Sequence, residues 1–208
     1  MSKNNNVILS SAYFPSVQYF SKILNYETII IEQNENYSKQ SYRNRCEILS
    51  PNGKQTLSIP IIKQSGNKQL IKDVKIDYKN DWQDIHLKSL QTAYLSSPFF
   101  EHYIDALIPF FKKQYTFLFD LNLEIIETLL KELQIDKTIN FSKEYKTQYN
   151  FLDFRNSIHP KKKFQTESFK AQKYIQVFFD KFDFVPNLSV LDILFNEGPN
   201  LENVLELI

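Results

Sequence analysis

The stretch VILSSAYFPSVQYFSKILNYETIII, residues 7–31, decides the fold class. Residues 7–9 form an apolar run after a polar start and read as a short buried strand. Ser10-Ser11-Ala12 and Tyr13-Phe14-Pro15 follow. Pro15 suits a first helical turn, where the missing N–H has no intrahelical partner in any case. A helix over about 16–24 places Val17, Phe20, Ile23 and Leu24 on one face. Residues 28–31 are β-branched and apolar, as expected for a strand buried on both faces. Strand, helix and strand in this order predict a βαβ unit with a parallel pair.

Downstream, residues 32–40 are polar and loop-like, and 41–49 read as a strand. Pro51-Asn52-Gly53 is turn chemistry, and 55–62 return as the second strand of a hairpin. Pro60 marks the end or edge of that strand. Residues 71–76 are a further short strand candidate. Asp81, with Asp84 three residues on, has the pattern of a capping box before a helix over 82–95. Pro98 opens a second helical stretch over 99–112. The cleanest amphipathic helix spans 122–133, with Ile125, Ile126, Leu129, Leu130 and Leu133 on one face. Residues 137–163 show little periodicity, and 174–184 are aromatic and irregular. Two short terminal helices, 188–195 and 201–208, flank Glu197-Gly198-Pro199. The expected fold class is α/β: an N-terminal βαβ-type sheet with a hairpin and a mainly helical C-terminal half. One domain over 1–208 is expected, sheet-rich through residue 80 and mainly helical from 81.

Composition narrows the function classes. Lys and Arg number 25 against 24 Asp and Glu, a formal charge of +1. That balance does not favour a broad basic face, so nucleic acid is not an expected partner. The single cysteine, Cys46, rules out an intramolecular disulfide and a cysteine-cluster metal site. The N-terminus lacks a long apolar segment of the signal-peptide kind, and no run of about 18 apolar residues exists. Membrane insertion is therefore not expected, and a reducing, cytoplasmic location is. With 3 Gly in the chain there is no GxxxxGK[ST], GxGxxG or GxSxG motif, and HExxH is also absent. No metal or cofactor is expected.

Chemistry therefore has to be sought in side-chain clusters. Residues 37–62 concentrate Lys39, Arg43, Asn44 and Arg45 ahead of the hairpin, with Lys63 directly after it. Guanidinium groups offer a planar fork of donors that matches phosphate or carboxylate, so this group reads as an anion site or as solvated hairpin charges. Cys46 stands between Arg45 and Glu47; the arginines could lower its pKa, but strand alternation faces it inward as a core residue. Trp82 and His86 are one helical turn apart and share a face, lining a pocket or packing into the core. Arg155, His159 and Lys161 form a second cationic loop, followed by Lys162 and Lys163.

Five segments together resemble the WbqC-like protein family of bacteria: SSAYFPSVQYF (10–20), KQSYRNRCEI (39–48), LSIPI (57–61), WQDIHLKSLQTAYLSSPFFEHY (82–103) and PNLSVLDILFNEGP (186–199). The resemblance spans nearly the whole chain and implies an association with surface-polysaccharide biosynthesis. Many members open with a His-Gln-Pro-like tripeptide before Tyr-Phe-Pro; here Ser10, Ser11 and Ala12 stand in its place. Chemistry needing an imidazole at the end of the first strand is thereby placed in doubt.

Two functions follow as expectations. One is a transferase acting on an activated sugar or acyl donor. Its anionic part would meet Lys39, Arg43, Asn44, Arg45, Lys63 and Arg155, with Ser10, Ser11, Tyr13 and Trp82 lining the crevice and His86 or His159 as general acid or base. The other is a non-catalytic binding or partner protein of the same pathway.

Overall fold

In the computed structural model, which describes residues 5–62, 69–162 and 169–206, the first strand β1 (Asn6–Ser10) pairs in parallel with β2 (Thr28–Glu32), Val7 opposite Ile29 and Ser10 opposite Glu32. Helix α1 (Val17–Asn25) makes the crossover. The βαβ unit expected from residues 7–31 is thus the start of the fold. Val7, Ile8 and Leu9 are fully buried because both faces of the strand are covered. Pro15 lies one residue before the helix cap rather than in the first turn. Ser16 is the cap: its backbone is extended and its hydroxyl accepts from the Tyr19 N–H at 3.4 Å.

Two further strands complete this sheet, β5 (Ile139–Phe141) beside β2 and β6 (Leu152–Asp153) beside β1, in the order β5-β2-β1-β6 and all parallel. Both come from the stretch without periodicity. They are too short for an alternation to be read, and Phe141 and Leu152 remain substantially exposed at the two edges.

A separate two-stranded sheet is the hairpin of β3 (Arg45–Ser50) and β4 (Gly53–Ser58). Pro51 and Asn52 form its turn, and Gly53 follows at φ 101°, a value other residues rarely adopt. β3 begins at Arg45 rather than at residue 41, because 41–44 make a turn pinned by Asn44, whose amide donates to the Ile59 carbonyl at 2.8 Å. The strand expected over 71–76 is instead a 3₁₀ turn, Ile71–Asp73, followed by single bridges at Lys75 and Ile76. Residues three apart eclipse in a 3₁₀ turn, and this sends both Ile71 and Val74 into the core.

The helices are α2 (Trp82–Tyr94), α3 (Phe100–Leu107), α4 (Leu118–Glu132), the single turn α5 (Phe179–Phe182), α6 (Val190–Glu197) and α7 (Leu201–Glu206). Asp81 is the cap residue of α2, but its side chain makes no capping bond. α4 starts four residues before the expected position, since Leu118 and Leu121 extend its apolar face and are buried. Among the described residues, no helix is long and apolar enough to cross a membrane.

Asp192 in α6 ties three segments together. Its buried carboxylate accepts from Tyr94 Oη at 2.9 Å, Tyr174 Oη at 2.6 Å and Gln176 Nε2 at 2.7 Å. Burial pushes its pKa up and outweighs the three donors, which lower it. Asp192→Ala should cost on the order of 3 kcal/mol, because three buried donors lose their acceptor at once; a urea midpoint within 0.5 kcal/mol of the parent (roughly the effect of a surface change) would show that this network does not hold the helices.

Candidate functional site

The carboxyl ends of β1, β2 and β6 deliver Ser10, Glu32 and Asp153 to one edge of the parallel sheet. Chain reversal after β2 brings Glu35 back to the same edge, and the turn before β3 supplies Arg43. The Arg43 guanidinium holds Glu35 in a bidentate pair, Nε to Oε1 at 2.9 Å and Nη2 to Oε2 at 2.6 Å, and also donates to Ser10 Oγ at 2.6 Å. Ser10 Oγ lies 3.2 Å from Glu35 Oε2 and 3.1 Å from the Arg155 carbonyl, which accept its one proton between them. Tyr19 caps the arrangement by donating to the Ser10 carbonyl at 2.6 Å. Asn122, fully buried in α4, donates to the Arg43 carbonyl at 2.8 Å and to Ser11 Oγ at 3.4 Å.

Arg155 organises the neighbouring half. It takes Asp153 in a fork of Nε to Oδ1 at 3.0 Å and Nη2 to Oδ2 at 2.6 Å, and donates Nη1 to Glu32 Oε2 at 3.0 Å and Nη2 to the Lys146 carbonyl at 2.8 Å. The rings of Tyr145 and Tyr149 each lie 4.9 Å from its guanidinium carbon. Burial opposes the Arg155 charge, and Asp153 and Glu32 outweigh that opposition, so its pKa is raised. Glu32 also receives the Ser142 hydroxyl and the Asn34 N–H, the latter at 2.8 Å. Two arginines thus face three carboxylates, and both guanidinium groups are matched inside the protein. Between the halves, Ser10, Tyr19, Arg43, Phe154 and Ile158 border a cavity of about 10 Å³, space for roughly one water.

Arg45 differs from its neighbour Arg43. It is half-buried, among the described residues it has no ion-pair partner, and its buried Nε has no hydrogen-bond partner. His159, half-buried, sits within the field of Arg43, Lys162, Lys161 and Arg45; burial first and then these charges lower its pKa. Its Nδ1 accepts the Lys161 N–H at 3.1 Å, which leaves the ring proton of the neutral form on Nε2.

The other sequence candidates fall elsewhere. His86 is buried against Trp82, ring centroids 5.2 Å apart, with Nδ1 2.9 Å from Tyr13 Oη. Burial lowers its pKa to about 4, against a smaller opposing contribution from a hydrogen bond to the Ser58 backbone. The Tyr13–His86 hydrogen bond holds the ring in place, its donor set by the imidazole tautomer. Trp82, Tyr13 and His86 therefore form a packed cluster that does not line the cavity. Cys46 is buried, and its thiol is pushed up by burial and by Glu47. Lys39 is exposed without an ion pair among the described residues, Asn44 pins the hairpin, and Lys63 and Lys163 lie outside the described residues. Sequence reasoning missed Glu32, Glu35, Asp153 and Tyr149. Glu32 had a signal, a carboxylate ending the otherwise apolar strand TIIIE; the others had none. Among the described residues, no three His, Cys, Asp or Glu side chains converge as a metal site.

Residues 10–166 match the sequence model of the WbqC-like protein family. A Mycobacterium tuberculosis relative, named as the uncharacterized protein Rv1507c, is 29% identical over 139 residues, which is 66% of this chain. The match spans 60% of that relative's length. No solved structure matches the chain.

Two outcomes follow from this geometry. Arg43→Ala strands the buried Glu35 carboxylate and should destabilise the protein by about 3–5 kcal/mol, read from denaturant melts; an unchanged midpoint would mean that water solvates Glu35. For His86, the unfolded chain binds a proton between the ordinary imidazole value of 6.5 and about 4 that the folded protein refuses. Stability should fall as pH drops through that window, by up to about 3 kcal/mol. His86→Gln should flatten the profile, and an equal slope in both proteins would assign the pH dependence to other groups.

Proposed function

The chain belongs to the WbqC-like protein family, and we propose that it is a transferase acting on an activated sugar or acyl donor in bacterial surface-polysaccharide biosynthesis. One observation carries this reading. Polar and charged groups from four separate parts of the chain, at Ser10, Glu32 to Glu35, Arg43 and Asp153 to His159, converge at the carboxyl ends of parallel strands. Open α/β sheets bind ligands at that edge, where the loops after the strands splay apart.

The cavity there is too small to enclose a donor, so the donor lies across its mouth. Arg43 and Arg155 act as positioning residues: their carboxylate pairs hold the loop after β1 and the short strand β6 in register. The acceptor hydroxyl oxygen bonds to the transferred group as the donor bond to its anionic leaving group breaks, and the hydroxyl proton passes to solvent water at the open mouth of the crevice. Negative charge grows on the departing oxygen, and the Nε2–H of neutral His159 is a suitable donor to it. Because Nδ1 is occupied by the Lys161 amide, His159 serves better as a hydrogen-bond donor than as the base.

A second reading, a non-catalytic binding or partner protein of the same pathway, draws support from the same arginines, since both are matched internally, and from Ser10-Ser11-Ala12 at the family's opening position. The deciding experiment is a thermal-shift screen against nucleotide sugars and acyl donors, followed by mass analysis of each hit with candidate acceptors. A donor at about 100 times its Kd should add roughly 2.7 kcal/mol of apparent stability. Donor consumption supports the transferase, binding without consumption supports the carrier, and no shift with any donor overturns the donor site.

A further inference from the structure

We propose that Arg45 and His159 form a seat for a phosphate group at the rim of the crevice, a proposal that rests on reading that crevice as a donor site. Arg43 and Arg155 are poor candidates for the role. Each is already forked onto a carboxylate, and a ligand would have to displace Glu35 or Asp153. Arg45 has no such partner. It begins β3 on the strand face opposite the buried Cys46. The next residue on its own face, Glu47, is taken by Lys54 at 3.1 Å. The buried Nε–H is left without an acceptor, a costly condition for a cationic donor unless a ligand supplies the oxygen.

His159 supplies a complementary donor. Ile158, its chain neighbour, borders the same cavity as Arg43, which brings the loop after β6 against the turn that leads into Arg45. Besides burial, the charges that lower the His159 pKa are Arg43 from that turn, Lys162 and Lys161 from its own loop, and Arg45 at the start of β3. Tyr37, on the other side, also lies in the field of Arg45 and Arg43. Its hydroxyl is held above its ordinary value by burial, so it brings no negative charge to the cluster. The group therefore combines an unpaired guanidinium, a neutral Nε2–H and two exposed lysines, and the nearby carboxylates Glu35 and Glu47 are already paired, with Arg43 and Lys54. A carboxylate offers two coplanar oxygens, whereas a phosphate ester presents several oxygens and a greater charge to donors arriving from different directions. The ligand class inferred is a phosphate ester, as in a sugar phosphate or nucleoside diphosphate.

The test is calorimetric titration with inorganic phosphate, glucose 1-phosphate, UDP and acetate, with the ¹⁵N shifts of the histidine rings followed in parallel. Wild type should bind the phosphate compounds and move His159 while leaving the buried His86 in place. Arg45→Gln should weaken phosphate binding at least tenfold without lowering the melting temperature. Arg45→Lys, which keeps the charge but loses the fork, should retain part of it, and His159→Phe should lose several-fold. Tighter binding of UDP or of glucose 1-phosphate identifies which ester the rim is built for. Acetate binding as tightly as phosphate, unchanged phosphate affinity in Arg45→Gln, or no saturable phosphate binding would each overturn the seat. Failure of the two readings is distinguishable: phosphate held at Arg45 with no donor consumed removes the transferase alone, and a donor consumed at the parent rate by Arg45→Gln removes the seat alone.

Discussion

Arg155 and Glu32 form an ion pair whose side chains are 2% and 0% exposed, and the parallel sheet depends on it. β6 contributes a pairing of only two residues with β1, too short to be held by its ladder alone. Arg155, two residues beyond Asp153, closes back onto that carboxylate and reaches across to the end of β2. The strand is thereby fixed at its carboxyl end. Such a pair carries a desolvation cost, and apolar residues of the same volume would stabilise a sheet as well. What the ions add is direction: a fork of donors accepts one geometry and sets which loop lies over which strand.

The Arg43–Glu35 pair does the same for the other side of the edge. Ser10 joins the two, receiving Arg43 and lying against both Glu35 and the Arg155 carbonyl. Loops after β1, β2 and β6 and the turn before β3 thus share one hydrogen-bonded centre. Because that centre satisfies its own charges, it acts as a frame. Arg45 stands two residues from Arg43 and is opposite to it in circumstance: one is saturated, the other lacks an acceptor. Adjacent arginines of the same chemistry divide into a structural and an available group according to which carboxylate reaches them.

The main outline was legible because apolar periodicity is local. Val7–Leu9, 28–31 and the seams of α1 and α4 announced their elements through residue spacing, and Pro51-Asn52-Gly53 announced the hairpin through turn chemistry. Failures have equally local causes. Residues 71–76 are β-branched enough to read as a strand, but Ile71 and Val74 three apart serve a 3₁₀ turn. The strands β5 and β6, at three and two residues, exist only because longer strands stand beside them.

For the site, sequence drew attention to Arg43, Arg45, Arg155 and His159 as cations in two loops, and the resemblance carried by five segments indicated the family. It could not assign their partners. Glu35 and Asp153 look like any other surface carboxylates, and the end of an apolar strand does not say which arginine Glu32 meets, because pairing is a matter of distance in space whether 2, 8 or 123 residues of chain intervene. Side-chain type and order are thus properties of the sequence alone. Which guanidinium is neutralised, which histidine is locked against a tryptophan and which stands at the sheet's edge are decided by tertiary structure, since Coulombic and hydrogen-bond energies depend on separation and burial rather than on position along the chain.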